Sequence, residues 1–192
     1  MRFPKLVLLT FIALLLPACE VVSLVRPGGV ELDGGERLVL ATAWSDVTKL
    51  LPDTERGVRV LSKDGPWLNR LYLAPRITPG RGLVKPPDDD RTPPAYRTGM
   101  TPTELVEFVS DSVAALGYRR VQAGELTPAR LGRHDAIRME LKAMDASGLE
   151  FSALAQVAEV KGAVYLVLFL APSEHYFPSA RDEVERIMAS TN

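Results

Sequence analysis

Apolar and polar positions alternate in short runs along most of the chain, and only two segments settle into a helical period. Val30-Glu31-Leu32 alternates, Asp33-Gly34-Gly35 supplies a turn, and Arg37 to Trp44 resumes with strand character, which predicts a β-hairpin. A second hairpin is predicted from Gly57 to Ser62, a Lys63-Asp64-Gly65-Pro66 turn, and Trp67 to Leu73. Thr101 to Leu116 reads as a helix, because Leu105, Phe108, Val109, Val113 and Leu116 fall on one stripe. Its start is marked twice over. Thr101 and Glu104 form a capping box, Pro102 takes the first helical position, and Gly117 stands just beyond the end.

The second half is predicted as strands and one further helix. Tyr118 to Glu125 and His134 to Ala143 read as strands joined by a connector at Thr127 to Gly132. Asp145-Ala146-Ser147-Gly148 turns into Leu149 to Val160, and Lys161-Gly162 turns into Ala163 to Ala171. Val164 to Leu170 is continuously apolar, as expected of a strand covered on both faces. Ser179 is expected to cap a final helix reaching about Ser190, with Val184, Ile187 and Met188 facing inward. Short turns between the last three strands make an antiparallel meander, and the helices lie before and after it. The predicted class is therefore α+β, a central antiparallel β-sheet flanked by helices, rather than a parallel βαβ fold.

Two stretches break the alternation. From Ala74 to Met100 eight prolines and glycines precede Gly99, together with the acidic run Asp88-Asp89-Asp90. A loop of that length inside a domain is functional or disordered, and this composition favours partial disorder. The other stretch is the N-terminus. Arg2 and Lys5 precede an apolar run from Leu6 to Leu16, shorter than the ~20 residues a helix needs to span a bilayer, so residues 1–18 read as a signal peptide. A cut after Ala18 by ordinary signal peptidase would put the large Leu16 three places before the bond, where a small residue is wanted.

Leu16-Pro17-Ala18-Cys19 instead resembles the bacterial lipobox, with Pro17 departing from the usual small residue at its position. Cys19 is the only cysteine, so no internal disulfide is open to it, and acylation there gives it a use. The resemblance implies three acyl chains and permanent attachment, since one chain binds only marginally. The expected layout is a signal peptide over 1–18, a tether over 19–29, and a single domain over 30–192. The expected location is the bacterial cell envelope, facing the periplasm. Glu20 is not the aspartate that retains such proteins in the inner membrane, which leans the expectation towards the outer membrane.

The order of elements resembles the PsbP-like fold, an α-β-α sandwich with a central antiparallel sheet. The resemblance is carried by the Ser62-Lys63-Asp64-Gly65 turn with the Leu68 to Tyr72 strand, and by the helix opening Met100-Thr101-Pro102. It continues through Gly132 to Glu140, Ala163-Val164-Tyr165-Leu166, and Tyr176-Phe177 with Val184, Ile187 and Ser190. Proteins of this fold act mainly as binding or assembly modules, so the resemblance implies a binding role and no particular partner.

Composition narrows the chemistry. Removal of the signal leaves about 174 residues with a net charge of about −3, enough for one core and the wrong balance for nucleic acid. His134 and His175 are the only histidines. His134 and Asp135, as neighbours on a strand, point to opposite faces and do not form a catalytic pair. His175 beside Tyr176 and Phe177 reads as packing at a helix start. Asp88, Asp89 and Asp90 lack calcium-loop spacing and read as a solvated acidic loop, so neither metal nor cofactor is expected. Arg119, Arg120, Arg130, Arg133 and Arg138 give the middle of the chain a basic bias, which strands more often spend on solvent or acidic neighbours. Trp67, Tyr72 and Tyr96 flank the long loop. Exposed together, and with Asp88 to Asp90, they would mark a protein-partner surface. The expectation is a non-enzymatic binding or scaffolding module. An envelope hydrolase using carboxylates or His134, and a small-ligand or lipid-binding protein, stand as alternatives.

Overall fold

The computed structural model describes residues 21–32, 35, 37–85 and 92–191. In chain order the described elements are β1 (Ser23–Val25), β2 (Gly28–Glu31), β3 (Arg37–Leu40), β4 (Trp44–Asp46), β5 (Arg59–Ser62), β6 (Arg70–Ile77) and α1 (Pro102–Ala115). They continue with β7 (Arg119–Leu131), β8 (His134–Met144), β9 (Glu150–Val160), β10 (Ala163–Pro172) and α2 (Tyr176–Ser190). Eight strands form one sheet in the order β1-β4-β5-β6-β10-β9-β8-β7, and β2 and β3 form a separate hairpin. Every pairing in the large sheet is antiparallel. The molecule is α+β, with β7 to β10 as a continuous meander.

The apolar run in β10 explains the layering. All ten of its residues are buried, and they sort by parity, as a strand's two faces require. Val164, Leu166, Leu168 and Leu170 join Leu105, Phe108, Val109 and Val113 of α1 in one apolar cluster. Val167, Phe169 and Ala171 join Phe177, Ala180, Val184, Ile187 and Met188 of α2, with Val30, Leu38 and Leu40 of the β2–β3 hairpin. Phe169 lies at the centre of this second cluster, edge-on to Trp44 at 6.4 Å and stacked on Phe177 at 6.0 Å. Burying such side chains contributes about 1.5–3 kcal/mol each. A hydrophobic run in one strand thus serves both cores.

Helix α1 starts as its sequence dictates. The Thr101 hydroxyl accepts from the Glu104 amide at 3.3 Å, and the Glu104 carboxylate accepts from the Thr101 amide at 2.8 Å. Those bonds, chiefly from Thr101, hold the Glu104 carboxyl below its ordinary range.

Four boundaries differ from expectation. Ser23–Val25, expected to be tether, is a strand paired with β4 from Ser23↔Asp46 to Val25↔Trp44, and Val25 packs on the α2-side core. The expected connector at Thr127 to Gly132 is instead, as far as Leu131, a continuation of β7. Pro128 is tolerated there because β7 is an edge strand. Helix α2 begins at Tyr176, three residues before Ser179. Pro178 sits in its first turn, where a missing N–H costs nothing.

The long loop is the fourth. Strand β6 extends to Ile77, and Leu83, Val84 and Tyr96 are buried. Thr54 bridges to Val84, and the Tyr96 amide donates to the Arg81 carbonyl at 2.8 Å. A Cβ on Gly82 would lie 2.2 Å from the Pro94 carbonyl oxygen, so the loop's two limbs close on a glycine. Its described parts are pinned to the domain, and residues 86–91, on which the expectation of partial disorder also falls, lie outside the described residues.

Candidate functional site

The β5–β6 hairpin ends in a turn whose backbone is fixed by one buried side chain. Asn69 is 1% exposed, and its Oδ1 accepts from the Ser62 hydroxyl at 2.9 Å, the Lys63 amide at 2.9 Å and the Asp64 amide at 3.4 Å. Its Nδ2 donates to the Asp64 carboxylate at 2.5 Å. The Gly65 amide donates to the Ser62 hydroxyl, and Gly65 takes φ +108°, a conformation that favours glycine. The Leu68 and Asn69 amides both donate to the Gly65 carbonyl. This network leaves one large apolar side chain outside. Trp67 is 74% exposed, the highest of any large hydrophobic residue described.

The turn is also bound to α2. The Lys63 ammonium lies 2.6 Å from Oε2 of Glu183 and 5.7 Å from the centre of the Trp44 ring. Oε1 of Glu183 accepts from the Thr42 hydroxyl at 2.6 Å and the Trp44 indole at 3.2 Å. Burial pushes the Glu183 carboxyl up, but donors from Lys63, Thr42 and Trp44 and the lysine charge together hold it below its ordinary value. A rigid turn carrying an exposed indole is suited to recognition, since ordering it costs little on binding.

The structure separates the aromatic residues that the sequence grouped. Tyr72 is 1% exposed and Tyr96 is 0% exposed, and both belong to the α1-side core. Neither presents a surface, which corrects the expectation of a shared patch with Trp67. Tyr72 on β6 faces α1, and burial pushes its hydroxyl up to about 12. Asp88, Asp89, Asp90 and Cys19 lie outside the described residues. The Asn69 network and the Glu183 latch carried no sequence signal, because their partners are brought together only by the hairpin and by α2.

The histidines are placed apart. His175 precedes α2 and meets the Tyr176 ring edge-on at 5.0 Å. His134, half-buried at the start of β8, lines an open concavity of about 660 Å³ with Arg76, Arg133, Lys161 and Tyr165. The Asp135 carboxylate pairs with Arg130 instead. His134 therefore gains no orienting carboxylate from its neighbour. Of the other arginines, Arg138 donates to Gln156 at 2.8 Å, and Arg120 approaches the Met144 sulfur at 3.7 Å. Among the described residues no cluster of His, Cys, Asp or Glu is arranged to hold a metal, and no helix is long and apolar enough to cross a membrane.

No protein-family model matches the chain, and no curated protein matches its sequence. Solved structures do match. The Ran-binding protein Mog1p of Saccharomyces cerevisiae aligns over 87% of this chain and 95% of its own, at TM-score 0.54 and 9% identity. Cyanobacterial PsbP (CyanoP) of Synechocystis sp. PCC 6803 aligns over 92% and 94%, at TM-score 0.50 and 13% identity. At such identities the likeness is one of architecture, and the chain has a PsbP/Mog1-like α+β fold.

Proposed function

We propose that this protein is a non-enzymatic, lipid-anchored module of the bacterial envelope that binds a protein partner through the 62–69 turn, with Trp67 as its anchor. The observation that carries this reading is the 74% exposure of an indole on a turn held by buried Asn69. Exposed tryptophan on a pre-organised support is the composition of a binding hot spot, and a disordered or merely solvated turn would not need that network. The fold offers a precedent for binding, since the Saccharomyces protein is a Ran-binding protein. It transfers no partner. The lipobox-like segment ending at Cys19 supports anchoring in the envelope, with Glu20 favouring the outer membrane.

Chemical crosslinking in intact cells, followed by purification from detergent-solubilised membranes, tests the reading. A discrete protein adduct should form with the native chain. Trp67→Ala should lower the partner's affinity by about 30-fold, the effect of losing a hot spot of about 2 kcal/mol. Leu149→Ala, which removes another exposed apolar side chain, should leave it unchanged. Recovery of the protein alone after crosslinking, or equal recovery of the partner with Trp67→Ala, would refute the proposal.

A further inference from the structure

We propose that the β1 edge of the sheet is a bilayer-contact surface, so that the domain sits directly on the membrane and is not held away from it by a tether. The inference rests on the reading of Cys19 as lipidated, and it deepens that reading by fixing which side of the domain meets lipid.

Chain length is the first argument. Three residues separate Cys19 from Ser23, where pairing with Asp46 fixes the chain in the sheet. The four steps from Cys19 to Ser23 span at most about 14 Å when fully extended. The expected eleven-residue tether would have allowed more than twice that reach. An acylated Cys19 must therefore hold β1 within one headgroup layer of the hydrocarbon.

The surface at that point is the second argument. Val21 is 39% exposed, Val22 41% and Leu24 66%, so three large apolar side chains at one sheet edge face outward within four residues. Elsewhere among the described residues, exposed large apolar side chains occur singly along the sequence. Aliphatic side chains beside a lipid anchor add burial in the interface at about 0.8 kcal/mol per methylene group.

Charge is the third. Val21 and Ser23 share a shallow concavity of about 310 Å³ with Lys49 and Arg59, and Arg26 follows the strand. Asp46 in that lining pairs with the Arg59 guanidinium at 2.7 Å, so those two charges cancel, and Arg26 is the cation beside the strand outside that pair. A basic side chain beside an apolar edge matches anionic headgroups over a hydrocarbon layer. The occupant is therefore a bilayer containing anionic phospholipid.

Site-specific labelling tests this in the full acylated protein reconstituted into phosphatidylethanolamine–phosphatidylglycerol vesicles. Because Cys19 is the only cysteine and would be blocked, a cysteine introduced by Leu24→Cys takes an environment-sensitive fluorophore alone. The control is Glu125→Cys on β7, at the opposite edge of the sheet. The Leu24→Cys probe should shift to the blue, and lipids carrying a quencher should quench it several-fold more than the Glu125→Cys probe. Equal, water-like signals from both probes while the protein still floats with vesicles would overturn the seating and leave the anchor standing. Failure to float would overturn both. A blue shift of the Leu24→Cys probe in detergent, accompanied by a dimer, would assign the edge to a second copy of the chain and also overturn the proposal.

Discussion

At the scale of single residues, Glu183 ties α2 to the 62–69 turn and so bears on stability. It is a carboxylate on α2, 7% exposed, and its two oxygens collect donors from Thr42, Trp44 and Lys63. Replacing it with alanine leaves the lysine ammonium and the indole N–H without their acceptor. Urea denaturation of Glu183→Ala should show a loss of about 1–3 kcal/mol, as for a buried indole N–H and a partly exposed ammonium left without their acceptor, and Glu183→Gln a smaller one. The sign of the pH effect follows from its depressed carboxyl. Its stabilisation is fully present above the ordinary value of 4.5 and is lost as pH falls through the lower folded value. Glu183→Gln should therefore flatten the acid limb of the stability profile. An acid limb of unchanged slope in that variant would remove Glu183 from the account. None of this was visible in the chain, where Glu183 stands 120 residues from Lys63 and 141 from Thr42. Trp67 was visible as a candidate. Its grouping with Tyr72 and Tyr96 failed because alternation tells which side chains share a face and not which face is covered.

At the scale of elements, rigidity of the 62–69 turn should be separable from the contact it makes. Asn69→Ala removes the acceptor for Ser62, Lys63 and Asp64 without touching Trp67. It should cost about 2 kcal/mol of stability and weaken partner binding several-fold while the indole remains exposed, measured by denaturation and by the crosslinking yield. Unchanged binding would show that the indole alone suffices. Elements with local signals were legible in the sequence. The capping box at Thr101 and Glu104, the Asp64-Gly65 turn and the apolar run of β10 each specify their own conformation. Boundaries set by distant neighbours were not legible. Ser179 looks like a cap, yet α2 starts earlier because Phe177 fills a place against Phe169. Pro128 looks like a strand breaker, and only membership of an edge makes it compatible.

At the scale of the whole molecule, the outer strands of the sheet, among the described residues, differ in character. Strand β1 is short and apolar, whereas β7 spans thirteen residues and is mostly exposed. A bare edge of that length invites pairing with another chain. Register shifts between Arg119 and Gln122 and between Ala123 and Leu126 interrupt it, as do Pro128 and Arg120 at φ +51°. Pro128→Val should restore a donor and a β-forming side chain, and so raise self-association in sedimentation velocity at high protein concentration. An unchanged profile would leave the bulges as sufficient protection. If β1 lies on the bilayer, the seven inter-strand steps to β7 carry that edge up to about 34 Å away from it, at about 4.8 Å per step.

The position of β10 between β6 and β9 also sets the order in which the molecule can be completed. The strands from β1 to β6 make up half the sheet, but the partner on the inner side of β6 is encoded about ninety residues later in the chain. Until β10 arrives, the N-terminal half has β6 paired only with β5, its other edge open and Leu71 and Leu73 incompletely covered. No interval of loop closure shorter than that separation can finish it. The β7 to β10 meander can form locally as soon as it emerges, and it then supplies the missing strand in a single docking step. Completion is therefore a late, cooperative event triggered by the C-terminal end of the chain, and a nascent chain stopped at Val160 would expose the apolar flank of β6 to chaperones and proteases.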